Sequence, residues 1–531
     1  MMPTWLDAHL PVLPVLLPLL TAAVLLAVGD GLDGGREQRV LRVRLLSLVS
    51  VLLSLGLSLQ LLLDAQAGQL RVYHLGQWPA PFGIVLVVDR LSALMVLLTQ
   101  LVALPVVLYA SGGWDTRGRH FHALLQLQLM GLNGAFVTGD LFNLFVFFEV
   151  LLIASYVLLA HGLGRERLRV GVPYVVLNLA ASGLFLIGAA LIYATTGTLN
   201  LADLALRAGR VDAVMAPLLQ VGAMLLLVVF GFKAALLPLH LWLPATYAAA
   251  SPPVAALFAL MTKVGVYAIV RVHGVVFGEG AGLSANLVEP WLLPLALAGS
   301  VLAVLGALAA GTLPRLIAWL TIASVGTILA ALGLFSDAAW SAALYYTVHS
   351  TVVVAALFLL AELVAAQRGE TGERLESGGM LAQPGLLGTL MLLLAATIIG
   401  LPPLSGFMGK LMILQAAGGS AAPWVWTVLL LVGFGSLLAL ARAGSIVFWQ
   451  AEPGTAPPAP ASPRLLAATG LLLLAILALS FGAGPIKRYT DAAAAQLADR
   501  EGLARAVLGN GPGAQPDAVR PYRLDNQAGQ P

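Results

Sequence analysis

Apolar stretches of about 20 residues or more, each long enough to cross a bilayer as a helix, alternate along this chain with short polar punctuation. They fall at residues 10–28, 45–63, 84–109, 121–138, 141–160, 170–193, 214–250, 254–272, 291–310, 316–334, 338–366, 386–416, 424–448 and 465–481. The pattern predicts an all-α polytopic membrane protein of about 14 transmembrane helices.

Two of these stretches are interrupted. The seventh reads GFKAALLPLHLWLPATYAAASPP, with Pro238 and Pro244 inside an apolar run, where proline removes a backbone donor and clashes with the preceding turn. The twelfth reads TIIGLPPLSGFMGKLMIL and gathers Gly400, Pro402, Pro403, Gly406 and Gly409. Both helices are predicted to break near the middle of the membrane. The breaks lie five spans apart, an odd number, so laying spans 4 to 8 on spans 9 to 13 gives two inverted five-helix repeats, each containing a broken helix. Paired broken helices in inverted repeats mark a transport path; two ordinary proline kinks are the alternative. The chain divides accordingly into N-terminal helices (1–120), a first repeat (121–277), a second repeat (291–450), a last span (465–482) and a polar C-terminal tail (483–531).

Composition narrows the class. Of 531 residues, 60% are apolar and only 10% charged, which excludes a soluble domain. The absence of cysteine removes disulfides, cysteine-ligated iron–sulfur clusters and thiol chemistry. The net charge of +3 comes without any basic run, so nucleic acid is not an expected partner. The first apolar run follows Asp7 and His9 rather than a basic segment, and reads as a span, not a signal peptide. Arginine is unevenly shared between alternate loops. One set carries Arg36, Arg39, Arg42, Arg44, Arg117, Arg119, Arg165, Arg167, Arg169, Arg315, Arg368, Arg374 and Arg464. The other carries Arg71, Arg207 and Arg210, with Arg90 and Arg271 at span edges. The first set is expected to be cytoplasmic, which puts both termini on the periplasmic side; Lys487 and Arg488 run against that placement. The tail from Ala483 reads as weakly ordered.

Lysine is used differently from arginine. It occurs only at positions 233, 263, 410 and 487, and the first three lie inside apolar segments. A desolvated ammonium can give up its proton in a protein and a guanidinium cannot, so lysine suits a proton relay. Each interior charge costs about 2.5 to 3.5 kcal/mol on insertion scales, which calls for a function or a partner. Glu149 lies near the middle of LFNLFVFFEVLLIASYVLLA, and Lys233, on the first half of the first broken helix, is its natural partner. Lys263, His349 and Lys410 would continue the path; a static set of buried ion pairs is the bland alternative. His240 is either a relay or a donor to carbonyls freed by Pro244. Glu362, near the end of its span, is a possible relay and more simply an interfacial residue. Asp140 and Asn143 read as a helix cap, Asp89 and Arg90 as a pair or an anchor, and Thr321, Ser324 and Thr327 as a stripe bonding to a neighbouring helix.

FGFKAALLPLHLWLP followed by SPPVAALFALMTKVGVYAIVR, together with GLPPLSGFMGKLMIL and Glu149, resembles the antiporter-like membrane subunits shared by respiratory complex I and multisubunit cation/proton antiporters. The resemblance covers about residues 80 to 450. Within that superfamily, VVDRLSALMVLLTQLVALPVVLYA, HFHALLQLQLMGLNGAFVTGDLFNLFVFFEVLLIASYVLL and TGTLNLADLA look most like the D-subunit family of the Mrp (Mnh/Pha) antiporters. The resemblance implies a bacterial inner-membrane subunit that works beside other membrane subunits of one complex and moves H⁺ against Na⁺ or K⁺ without a cofactor or resident metal. It also implies that Glu149 and Lys233 are the family's essential pair, Lys263 and Lys410 its central and terminal lysines, and His349 its histidine on the eleventh helix. Span 10 departs from the pattern, because it has no central acid answering to Glu149.

Three other readings use the same residues. A proton-pumping subunit of a complex I-like NADH:quinone or hydrogenase-type complex would need identical lysines. A haem- or quinone-binding enzyme would use His240 and His349 as axial ligands. An inert scaffold would have to carry at least four interior charges for no purpose.

Overall fold

The computed structural model describes residues 4–29, 36–452 and 459–509. Among these, eleven helices are long and apolar enough to cross a membrane, and Leu13–Val28 and Pro384–Ile399 are shorter apolar helices beside them. Helix starts are set by side-chain caps where the sequence offers them. Asp89 accepts from the Ser92 amide ahead of Arg90–Ala110, Asp140 from the Asn143 amide ahead of Leu141–Ala160, and Ser336 from the Ala339 amide ahead of Asp337–Ala366. Asp140 is therefore a cap, as its position predicts. Gly197 (φ 70°) and Gly400 (φ 90°) end the helices Arg165–Thr196 and Pro384–Ile399 in the left-handed region, where glycine carries no Cβ penalty.

The centre of the molecule is the segment Pro252–Val276, buried over its most apolar stretch, flanked by Leu313–Leu332 and Asp337–Ala366, which are nearly so over theirs. Pro463–Phe481 and the first long helix, Arg36–Gln66, turn most of their surface outward. Lys263 and His349 thus lie on the central elements, the most expensive places to keep a charge.

Both predicted breaks are present. The seventh segment is helical over Ala216–Ala234, irregular at 235–241, and helical again over Trp242–Ala249. The twelfth stops at Ile399 and resumes at Ser405–Ala416. Pro244 does not cause the first break. It occupies the first turn of Trp242–Ala249, where a missing N–H removes no helical hydrogen bond.

The loops gather on two faces. On one, the antiparallel strands Arg71–His74 and Val85–Val88 meet Thr138 through Leu86, and Asp140 bridges to Asn200. Asp7 joins the same face by an ion pair to Arg71. On the other face, Asp115 accepts two hydrogen bonds from Arg44 at 2.7 and 2.8 Å and one contact from His122 at 3.1 Å. Burial pushes the Asp115 carboxyl up, but the hydrogen bonds and charges of Arg44 and His122 outweigh it and hold the group at about 2.

Two expectations are corrected. Asp89 pairs with Arg271, 182 positions away, and not with Arg90: Arg271 reaches it through two bonds of 2.5 and 2.6 Å. Arg90 binds the chain's C-terminal region instead, through Gln496 and the Ala492 carbonyl. The stripe of Thr321, Ser324 and Thr327 meets a neighbouring helix as expected, since Ser324 and Thr327 hydrogen-bond the Tyr346 hydroxyl on Asp337–Ala366, while Thr321 and Thr327 also donate to the carbonyls four residues back in their own helix. Finally, the tail is ordered up to residue 508, in helices Ala483–Ala498 and Arg500–Leu508. One face of these helices packs inward, with Ala493, Ala494 and Leu497 buried. The part of the tail from 510 to 531 lies outside the described residues.

Candidate functional site: buried lysines at two broken helices

The first half of the first broken helix ends in a left-handed residue, Ala235 (φ 59°), and the Leu236 amide turns back to the Gly231 carbonyl at 2.7 Å. Trp242 completes the cap by donating its indole N–H to the Phe232 carbonyl at 3.1 Å. Lys233 therefore sits in the last turn of a half-helix, where the free carbonyls favour a cation. The ammonium is buried and donates to Asn178 Oδ1 at 2.7 Å. Glu149, half-buried midway along Leu141–Ala160, accepts from the Ser182 hydroxyl. Asn178 and Ser182 are one turn apart on Arg165–Thr196, so one helix presents a neutral partner to each member of the expected pair. Among the described residues no ion pair joins Glu149 to Lys233 directly.

Lys263 lies on the next helix, Met261–Ile269, fully buried, with the Thr262 hydroxyl at 3.5 Å as its nearest oxygen partner. The two lysine helices touch at Gly265. A Cβ there would lie 2.5 Å from the Ala234 amide nitrogen and 2.8 Å from the Phe230 carbonyl oxygen, so only glycine permits the contact.

His349 is fully buried on Asp337–Ala366, and both Lys263 and Lys410 are near enough for their charges to act on it. Its Nδ1 lies 3.0 Å from the Ser405 hydroxyl at the start of the second half-helix, and a Cβ on Gly406 would touch its ring at 3.0 Å. Lys410 folds back across the break and donates to the Ile399 and Ile398 carbonyls at 2.7 and 3.3 Å. It thereby closes the carbonyl end of Pro384–Ile399. The structure brings Lys263, His349 and Lys410 into one buried neighbourhood, and holds Glu149 and Lys233 around Asn178 and Ser182.

His240 lies inside the irregular stretch, its ring tilted 60° to that of Trp319 at 5.9 Å, and its Nδ1 has no hydrogen-bond partner among the described residues. Pro244, in the first turn of Trp242–Ala249, frees no helical carbonyl, so the donor role toward such carbonyls expected of His240 has no acceptor. Glu362 lines a cavity of about 340 Å³ on the arginine-rich face, together with Arg167, Tyr247, Phe358 and Glu373. Glu373, in a loop, is pushed up by burial and then by Glu166, against the pull of Arg315 and Arg167. This cavity reaches Ala249 and Ala250, at the end of the second half of the first broken helix.

Sequence reasoning missed Asn178 and Ser182. Their four-residue spacing inside YVVLNLAASGLF, a run otherwise apolar, was the available signal. It also missed the Asp89–Arg271 pair, which also takes in Ser92 and Tyr267. Among the described residues, no three His, Asp or Glu side chains cluster in a way that would hold a metal ion.

Two broken helices, each with a lysine at a carbonyl end, thus lie beside a central buried lysine and histidine. Residues 138–438 match the family described as NADH:quinone oxidoreductase/Mrp antiporter, TM, and the chain belongs to it. It is 43% identical over 530 residues to the D-type subunit of a probable K(+)/H(+) antiporter from Rhizobium meliloti (strain 1021), covering 93% of this chain and 96% of that protein. To the D-type subunit of a Na(+)/H(+) antiporter from Bacillus subtilis (strain 168) it is 36% identical, covering 94% and 99%. Its fold is similar to a chain of the Mrp complex from Dietzia sp. DQ12-45-1b, with a TM-score of 0.84 at 28% identity, over 95% of this chain and all of that one. A chain of respiratory complex I from Thermus thermophilus is similar at a TM-score of 0.77 and 26% identity, over 92% and 99%.

Proposed function

We propose that this chain is the proton-translocating membrane subunit of a multisubunit monovalent cation/proton antiporter. It is a transporter subunit, not an enzyme, and it is related to the membrane subunits of NADH:quinone oxidoreductase. The observation that carries the mechanism is the placement of Lys233: a buried ammonium held by a neutral amide, with a carboxylate held one helical turn away. An ammonium so placed can switch partners, and a switch of partner changes its hold on a proton. A proton discharges the Glu149 and Lys233 pair, passes to Lys263, and moves by His349 to Lys410. Hydration at the two broken helices gates the transfer. Glu362 serves the arginine-rich face as a collecting carboxylate, and His240 relays within the first break.

The same reading takes the segments as 14 spans, with 121–277 and 291–450 as inverted repeats. The arginine-rich face is cytoplasmic, both termini are periplasmic, and the membrane is the bacterial inner membrane. The partners are the other membrane subunits of the antiporter, the lipid bilayer, and H⁺ with Na⁺ or K⁺. The fold's similarity to a complex I chain supports one second reading, a proton-pumping subunit of a redox-driven complex. The test is cation-induced dissipation of a pH gradient in everted vesicles carrying the whole operon, with Na⁺ and K⁺ added separately. Glu149→Gln and Lys233→Ala are expected to abolish exchange in an assembled complex. Full exchange in both would place the proton path in another subunit, and no response to either cation in the wild type would favour the redox-driven reading.

A further inference from the structure

One buried titratable side chain has no part in this path. His273 is 1% exposed, and neither ring nitrogen has a hydrogen-bond partner among the described residues. It lies on a π-helical turn, Val270–Val276, that interrupts the Lys263 helix beyond its regular end; such turns change the register of a helix and recur at functional positions. Packing alone does not account for an imidazole here. Its neighbours are the aromatic rings of Phe230, at 6.3 Å, and Phe277, at 6.1 Å, and an apolar side chain would fill that space without leaving two polar atoms unpaired. Nor is it a counter-ion, because the nearby Arg271 is satisfied by Asp89, Ser92 and Tyr267.

Its surroundings connect it to the site. Phe230 packs on Phe148 (6.2 Å) and Phe185 (5.5 Å), and these two also meet at 6.1 Å. Phe148 directly precedes Glu149, and its ring lies 5.9 Å from the Lys233 ammonium. Phe230 is three residues before Lys233 on the same half-helix. The rings of Phe148, Phe185 and Phe230 therefore link the Lys233 ammonium, which Phe148 approaches, to His273, which Phe230 touches. Gly274, the next residue, lines a cavity of about 800 Å³ on the face opposite the arginine-rich loops, with Glu279, Asp337 and Trp340.

We propose that His273 is the proton relay between the Glu149 and Lys233 pair and that outer cavity, and that Phe148, Phe185 and Phe230 form the hydrophobic gate between them. The inference rests on the function proposed above. With the rings closed, the apolar layer excludes water and blocks transfer. When Phe230 turns aside, the Lys233 ammonium gives its proton to an intervening water chain, and the neutral imidazole of His273 takes up one proton from it. The imidazolium then releases a proton to water in the outer cavity, leaving Lys233 neutral until Glu149 returns a proton to it. The reverse sequence carries a proton inward.

The test uses the whole complex in everted vesicles, with assembly followed on native gels. His273→Phe and His273→Gln are expected to assemble and to lower cation-induced exchange by about a hundredfold, the scale of a lost positioned proton carrier. Phe230→Ala is expected to dissipate the pH gradient with no added cation, and adding His273→Phe or Glu149→Gln to it should stop that leak. Exchange at the wild-type rate in an assembled His273→Gln complex would overturn the proposal, as would a Phe230→Ala leak that survives His273→Phe. If His273→Phe fails to assemble, the same two measurements on His273→Gln decide. A wild type without cation-dependent exchange would overturn the antiporter reading instead, and the leak comparison would still decide the relay.

Discussion

Asn178, not Glu149, holds the Lys233 ammonium, at 2.7 Å. Glu149 is held by Ser182, one turn along the same helix, a rise of about 6 Å. A small displacement of the half-helix end would exchange a neutral partner for a charged one. Replacing Asn178 by aspartate should remove that choice by pinning the ammonium to a carboxylate in place. Asn178→Asp is expected to assemble and to lose most exchange in vesicles. Wild-type exchange would mean that Asn178 only fills space.

Lys410 does two things that one substitution separates. It caps the carbonyls of Ile398 and Ile399, and on the present reading it also carries a proton. Arginine can donate to the same carbonyls but does not deprotonate in a protein. Lys410→Arg should therefore assemble normally and fail to exchange, whereas Lys410→Met should lose abundance as well. Active Lys410→Arg would reduce this lysine to a cap.

Gly265 is where the Lys263 helix meets the end of the Lys233 half-helix. Because a Cβ would run into backbone at 2.5 Å, Gly265→Ala has to displace one helix from the other. Membrane abundance of the complex is expected to fall several-fold, by about 1 to 3 kcal/mol of overpacking. Gly470→Ala, with open space around the position, is the control and should be silent.

Asp89 and Arg271 are both buried, and each is the other's main counter-charge. Removing one leaves an uncompensated charge, at a cost of about 3 to 5 kcal/mol, while an apolar pair of similar volume is often tolerated. Asp89→Asn should sharply reduce the amount of assembled complex, and Asp89→Leu with Arg271→Met should restore much of it. Failure of the double variant on native gels would give the pair a role beyond holding helices together.

On the arginine-rich face, Asp115 sits at about 2, below its ordinary 3.8, so the folded state favours its charged form. Its contribution to stability is complete above that ordinary value and disappears as pH falls toward about 2. Thermal melts of the purified complex should show an acid-dependent loss in that window that Asp115→Asn abolishes. A wild-type curve unchanged between those two values would remove the cluster from the account of stability.

Charge economy made much of this site readable in advance. Four lysines, three of them in apolar runs, mark Lys233, Lys263 and Lys410 without any structure, and Pro238 with the Gly400–Pro403 cluster marks both breaks. Neutral polar residues are harder, because an asparagine or serine inside a span is cheap enough to pass as filler; Asn178 and Ser182 carry no charge to give them away. Pairing across distance is invisible for another reason. Nothing near Asp89 in sequence indicates that its partner lies 182 positions on, and Arg90 beside it offers a false one. The C-terminal helices were obscured by their composition: in AAAAQLADREGLARAVL short alanines and interspersed charges keep the run from reading as a span, yet it buries one face.

Those helices reach far back along the chain. Gln496 accepts from the Arg90 amide, 406 positions earlier, Tyr489 donates to the Arg90 carbonyl, and Arg500 donates to the carbonyls of Ala205 and Val276. Translation therefore delivers Arg90, Ala205 and Val276 long before the residues that fasten them. Until the ribosome has passed position 500, the newly inserted helices have to be held by their own packing or by another protein, and a stalled nascent chain would leave these positions unlatched.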